Sequence, residues 1–216
     1  MYLERQTTFG IKLLRVILPI VPYFFYWSVL MPLTGPLPGW CVYLLFGGMA
    51  YILCDIFRLK VEPKQEKGAL LHQVLFGLQL GLVVAVVMVM IFLLLYGHPS
   101  RFLTAGEERL AGVLSNMLYY LFLVAPVEEL LFRGYLQTCW RDLTGSASAG
   151  VLIQAVLFGL WHWPGAHSVV QVLSTAVLGL VYGGVLQYGK HGGLAAVIAA
   201  HGAHNLVLEL IRYLWC

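Results

Sequence analysis

Residues 113–137 read VLSNMLYYLFLVAPVEELLFRGYLQ, and the segment PVEELLFRG at 126–134 decides what kind of molecule this is. An apolar run leads straight into two acids and an arginine. Charges so placed either mark the end of a membrane span or stand inside one. The helical pattern carries on through VEELLFRGYLQTCW to about Asp142, so the acids are expected on a helix.

Composition supplies the setting. Of the 216 residues, 60% are apolar and only 11% are charged, and the mean hydropathy is +0.83. Soluble domains carry roughly 25% charged residues. The chain is therefore expected to be an all-α, polytopic membrane protein with the lipid bilayer as its partner. The longest polar stretch, RLKVEPKQEKG at 58–68, is too short for a soluble domain. Residues 1–216 are expected to form a single integral membrane domain, with N-terminal helices in 1–100 and core helices in 108–216. No basic patch is large enough for nucleic acid, so none is expected as a partner. The first apolar stretch lacks a small-residue cleavage site and reads as a retained span, not a removable signal peptide. Cys41, Cys54, Cys139 and Cys216 show neither metal-type nor disulfide-type spacing. Cys216, at the final position read, is not expected to be the cysteine of a C-a-a-X end.

A membrane-crossing helix needs about 20 apolar residues. Spans are expected near 11–33, 40–57, 69–96, 110–142, 146–163, 168–188 and 194–215, a bundle of about seven helices on that measure. Lys and Arg cluster at Arg5, Lys12 and Arg15 and again at Arg58, Lys60, Lys64 and Lys67, while the connections near 34–39 and 163–168 have none. The positive-inside rule then puts the N-terminus in the cytoplasm. Arg101, Arg109 and Arg212 fit this arrangement less well. Gly179 with Gly183, and Ala195 with Ala199, have the four-residue spacing of close helix packing in lipid.

Glu129 and Arg133 are four apart with the acid first, the better orientation for an ion pair on one helical face. Glu128 is rotated by about 100° and left without that partner. A bare carboxylate at the bilayer centre costs roughly 2.5–3.5 kcal/mol, a burden that suits a general base poised to take a proton. Pro126 lacks an N–H and clashes with the carbonyl of Phe122, so a kink or break is expected there. Broken helix at membrane depth is tolerated where it lines a water-filled cavity. The alternative is a helix that leaves the bilayer near residue 126, with Glu129 and Arg133 as a solvated salt bridge.

Two further apolar segments carry polar groups at helical spacing. FGLWH places Phe158 and His162 four apart, and HGAHN does the same for His201 and Asn205. His204 lies beside that face and stands as a substitute for His201. A single histidine in a membrane helix is more often a packing residue. Three helices each presenting a polar group can instead meet in one interior cavity, with Glu128 as base, His162 as its partner, and His201 and Asn205 as donors to an oxyanion. Trp161 and Trp163 flank His162 and favour the interface, which makes it the shallower histidine.

EELLFR fits an E-E-x-x-x-R motif, FGLWH an F-x-x-x-H motif and HGAHN an H-x-x-x-N motif. With all three in order, the chain resembles the CAAX prenyl-protease and bacteriocin-processing family, also called the Abi family, of intramembrane glutamic endopeptidases. The motifs occupy residues 128–205. The resemblance implies an α-helical membrane fold with the site in an intramembrane cavity. It implies hydrolysis of a peptide bond in a membrane-associated or C-terminal-tail substrate, with no cofactor and no metal. Glu128 and His162 would activate a water, His201 and Asn205 would stabilise the oxyanion, and Glu129 and Arg133 would hold the site in shape. The choice of His201 over His204 comes from the motif. Chain size points to a prokaryotic plasma membrane. Two rivals stand beside this reading. One is a zinc protease using His162, His201 and Glu128, although the H-E-x-x-H helix of many zinc proteases is absent. The other is a non-catalytic binding, immunity or transport protein.

Overall fold

The computed structural model describes residues 8–61, 69–98 and 109–215. Among them the chain is helical and contains no strand. Its main helices are α1, Phe9–Thr34; α2, Gly39–Ile56; α3, Leu70–Tyr96; α4, Leu110–Thr144; α5, Ala147–Trp161; α6, Val169–Tyr188; and α7, Leu194–Trp215. All except α5 are long and apolar enough to cross a membrane. Their outer faces require an apolar surrounding: Leu94 is 83% exposed and Phe122 71%, and surfaces of this kind are stable against hydrocarbon. The protein is thus an α-helical, multi-pass integral membrane protein. Of the residues weighed for orientation, Arg5, Lys64, Lys67 and Arg101 lie outside the described residues, as does Cys216.

Two segments differ in detail from the sequence reading. The helix expected over 146–163 is α5, with 15 residues, about 22 Å at 1.5 Å per residue and short of a bilayer core of about 30 Å. It starts where the Ser146 side chain accepts from the Ala149 N–H at 3.2 Å. It ends at Trp161 because Pro164 belongs to the first turn of the short segment Trp163–Ala166, where its missing N–H does no harm. Pro126, for its part, does not stop α4. The preceding residues, Tyr120–Val124, form a widened π turn and the helix runs on. A second π stretch, Leu130–Leu136, follows the acids. Single π turns inside α-helices are frequent at functional sites. Gly145, with φ +71°, closes α4 in the left-handed conformation that glycine adopts freely.

By internal contacts the chain divides into two compact units, one made of residues 1–63 and 130–187 and the other of residues 64–129 and 188–216. In the first, α1 and α2 pack on the later part of α4, which also packs along α5. Gly179 on α6 lets the helix backbone approach Ala155, and Gly183 lies against the side chains of Gln154 and Gln137. Both glutamines are buried and bonded: Gln154 Nε2 donates to the Gly179 carbonyl at 2.8 Å and Gln137 Nε2 to the Gly183 carbonyl at 3.1 Å. Small residues for approach and amides for attachment are what hold helices together where the surroundings are as apolar as the side chains.

The second unit is built on α3 and α7. Gln73, Gly77, Gly81, Ala85 and Val89 recur at four-residue steps and form the buried stripe of α3. A Cβ on Gly77 would strike the Ala196 carbonyl oxygen, and one on Gly81 the Ala200 carbonyl. The two helices run parallel with their backbones touching. The contact falls mainly at Ala196 and Ala200, one residue on from the Ala195–Ala199 spacing, although the Ala199 side chain also faces Gly77. The first part of α4 crosses α7 in the opposite direction, with Leu121 against Gly202.

Substituting Ala at Gly77 or Gly81 should lower stability by about 1–3 kcal/mol, the usual cost of overpacking. Thermal unfolding in detergent measures this. Gly48→Ala, at a helical position with nothing within 4 Å, is the control and should leave the midpoint unchanged or slightly raised, since alanine favours helix. An unchanged midpoint at Gly81 would contradict the packing described.

Candidate active site

The second unit brings three of the expected site residues together. Glu128 and Glu129 occupy the middle of α4 and are 1% and 0% exposed. The His201 ring, on α7, lies against both. Its Nδ1 is 2.7 Å from Glu129 Oε1, a hydrogen bond. Its Nε2 is 3.8 Å from Glu128 Oε2, beyond hydrogen-bond range. Consecutive residues on a helix point about 100° apart, and an imidazole, with nitrogens on two edges, reaches both acids at once. Of the two histidines on this helix, His201 is the one bonded to Glu129. His204 is buried as well, at 2% exposed. Asn205 follows His201 by one turn of α7, is half-buried, and makes no side-chain hydrogen bond among the described residues.

The remaining two expected residues belong to the first unit. Arg133 is fully buried in α4, its guanidinium 4.0 Å from the centroid of Phe158 and 5.8 Å from that of Tyr182. His201 is thus one partner of Glu129, and the Arg133 guanidinium lies over aromatic faces, where cation–π attraction is strongest once water is excluded. His162 closes α5. Its ring meets Phe158 edge to face at 4.8 Å, and its Nδ1 donates to the Phe158 carbonyl at 2.8 Å. A carbonyl only accepts, so Nδ1 carries a proton and Nε2 is the nitrogen left over for other contacts. The F-x-x-x-H spacing has a physical reason here: Phe158 carries Arg133 over its ring and orients His162 through its backbone. Phe132 and Trp161 extend this aromatic cluster, with Phe132 at 5.0 Å from Phe158 and 5.5 Å from Trp161. Tyr23 of α1 stacks on Trp161 at 4.0 Å and donates its hydroxyl to the Trp161 carbonyl.

Sequence reading passed over one buried polar cluster. Glu209, 1% exposed, accepts from Asn116 Nδ2 at 2.8 Å and from Arg212 Nη1 at 2.7 Å. Its signal was available, because Glu209 continues the four-residue series of His201 and Asn205. Asn116 stands alone in an apolar run and gave none. Among the described residues, no three His, Cys, Asp or Glu side chains form a group that could hold a metal ion.

Buried acids and histidines on membrane-crossing helices define an integral membrane protein with a polar interior site, the general class to which intramembrane enzymes belong. Residues 110–207 match the family model described as Type II CAAX prenyl endopeptidase Rce1-like, the family that the three motifs resemble. No curated protein and no solved structure matches the chain.

Glu129→Ala removes the hydrogen-bond partner of a buried imidazole. The expected loss of stability is about 1–3 kcal/mol, the cost of leaving one buried polar group without its partner. Glu129→Gln should lose less, since its amide still bonds Nδ1. Thermal unfolding of the two variants in detergent makes the comparison, and equal midpoints for Glu129→Ala and wild type would contradict it.

Proposed function

We propose that the protein is an intramembrane glutamic endopeptidase that cleaves a membrane-associated or C-terminal-tail substrate. The observation that carries this reading is the imidazole of His201 set against two consecutive buried acids. Glu128 takes a proton from water, which attacks the scissile carbonyl, and then returns that proton to the leaving amine. His162 is its partner in holding the water, a role suited to an imidazole whose Nδ1–H is already committed to the Phe158 carbonyl. His201 Nε2 and Asn205 Nδ2 donate to the oxyanion. For Nε2 to donate, either the ring carries both protons beside a Glu129 carboxylate, or Glu129 carries one and bonds Nδ1 with it. The Glu129 bond is compatible with both states. A separation of 3.8 Å between Nε2 and Glu128 Oε2 lets a single oxygen touch both atoms.

Arg133 and Glu129 hold these groups in shape. The recess of the first unit walled by Pro19, Tyr23, Phe132, Leu157 and Trp161 suits an apolar portion of the substrate, such as a lipidated cysteine. The placement of Lys12, Arg15, Arg58 and Lys60 favours a cytoplasmic N-terminus.

A fluorogenic peptide ending in a farnesylated C-a-a-X sequence, and the same peptide without lipid, test the reading on purified protein. Glu128→Gln should reduce cleavage to background while the protein remains folded. Asn205→Ala should lower kcat by about 10²–10³-fold, as loss of one oxyanion donor does elsewhere. Glu128→Gln that cleaves at the wild-type rate would refute the assignment of the base. Activity lost to a chelator and restored by zinc would support the metal-dependent alternative. Absence of product from either peptide, with Glu128 variants unimpaired in the cell, would favour a binding or immunity role.

A further inference from the structure

Glu209 is a buried acid of α7 that the proposed water chemistry does not use. One of its oxygens accepts from Asn116 on α4 and the other from Arg212 on α7 itself. The first bond ties helix to helix, while the second keeps the acid paired within its own helix. Residues 201, 205 and 209 share one face of α7 at four-residue steps. The helix is therefore fastened to α4 at two heights, by His201 on Glu129 and by Glu209 on Asn116. Asn205 stands midway between the two fastenings, half-buried and with no side-chain bond of its own among the described residues.

Two attachments eight residues apart, about 12 Å along the axis, resist rotation of a helix in a way that one cannot. A roll of about 10° moves a group 6 Å from the axis by about 1 Å, and a misplacement of that size costs up to about 10²-fold in rate. We propose that Glu209 and Asn116 are positioning residues: together they set the rotation of α7 and hence the aim of the Asn205 amide. The inference rests on the proposed part of Asn205 in stabilising the oxyanion. A purely structural ion pair would change how much folded protein survives heating. A clamp on Asn205 changes kcat per folded molecule and leaves substrate binding alone.

The test is a donor–acceptor exchange. Asn116→Asp sets a second carboxylate against Glu209. Adding Glu209→Gln restores a bond of reversed direction, from Gln amide to Asp oxygen. Cleavage of the farnesylated peptide gives kcat and KM, and hydrogen exchange of amides 201–212 in detergent reports on α7 without need of a substrate. Asn116→Asp should lower kcat by about tenfold or more at nearly constant KM and speed exchange in α7. The double variant should recover most of both, a coupling expected of residues in contact. Asn116→Ala, a milder change, covers the case in which Asn116→Asp does not fold and should give a smaller loss in the same direction. An unchanged kcat in Asn116→Ala, or a double variant no better than Asn116→Asp, overturns the proposal. If wild type cleaves neither peptide, the proposed function fails separately. Exchange then decides the clamp: α7 protection lost in Asn116→Asp and regained in the double variant supports it, and protection unaltered by either overturns it.

Discussion

A carboxyl group buried among membrane helices must find a hydrogen-bond partner, because hydrocarbon offers none and an unpaired charge there is costly. In this protein Glu129 finds the imidazole of His201 at 2.7 Å. That bond orders much else in its unit. It joins α4 to α7, it places the second ring nitrogen toward Glu128, and it selects His201 over the neighbouring His204. The packing of α3 on α7 serves the same end. Glycines at 77 and 81 bring the two backbones into contact, which gives α7 a fixed bed from which its polar face meets α4.

The first unit follows a comparable logic with aromatic rings in place of acids. Phe158 supports the Arg133 guanidinium on its face and directs His162 through its carbonyl. Glutamines 137 and 154, bonded to the carbonyls of Gly183 and Gly179, attach α4 and α5 to α6. A buried arginine thereby lies against an aromatic face, and the ring of a histidine at a helix end is oriented by a backbone carbonyl. In both units, then, a polar side chain is oriented by a second residue whose own position is fixed by close helix packing.

Much of this was legible in the sequence, for identifiable reasons. The spans of α3, α6 and α7 were visible because long apolar runs end at Gly, Pro or charge. The triplet of motifs was visible because helical spacing puts residues four apart on one face. Spacing speaks only for neighbours on the same helix, however. It paired Glu129 with Arg133 and could not show a histidine 72 residues later in the chain. It gave Pro126 as a kink or break and could not show that the helix runs on through a widened turn over Tyr120–Val124, which has no residue signature of its own. The Glu209–Asn116 bond was hidden for the same reason as the Glu129–His201 bond, with the further difficulty that one partner was a lone asparagine in an apolar run. The shortness of α5 depended on which turn Pro164 would join.

The central claim is that a water molecule, activated at Glu128, cuts a peptide bond within the membrane. Host membranes incubated with the purified protein in ¹⁸O-labelled water, followed by mass spectrometry of newly formed C-termini, test it most directly. The account predicts termini bearing the heavy oxygen with wild-type protein and none above background with Glu128→Gln. The same labelled termini appearing with both proteins would contradict it.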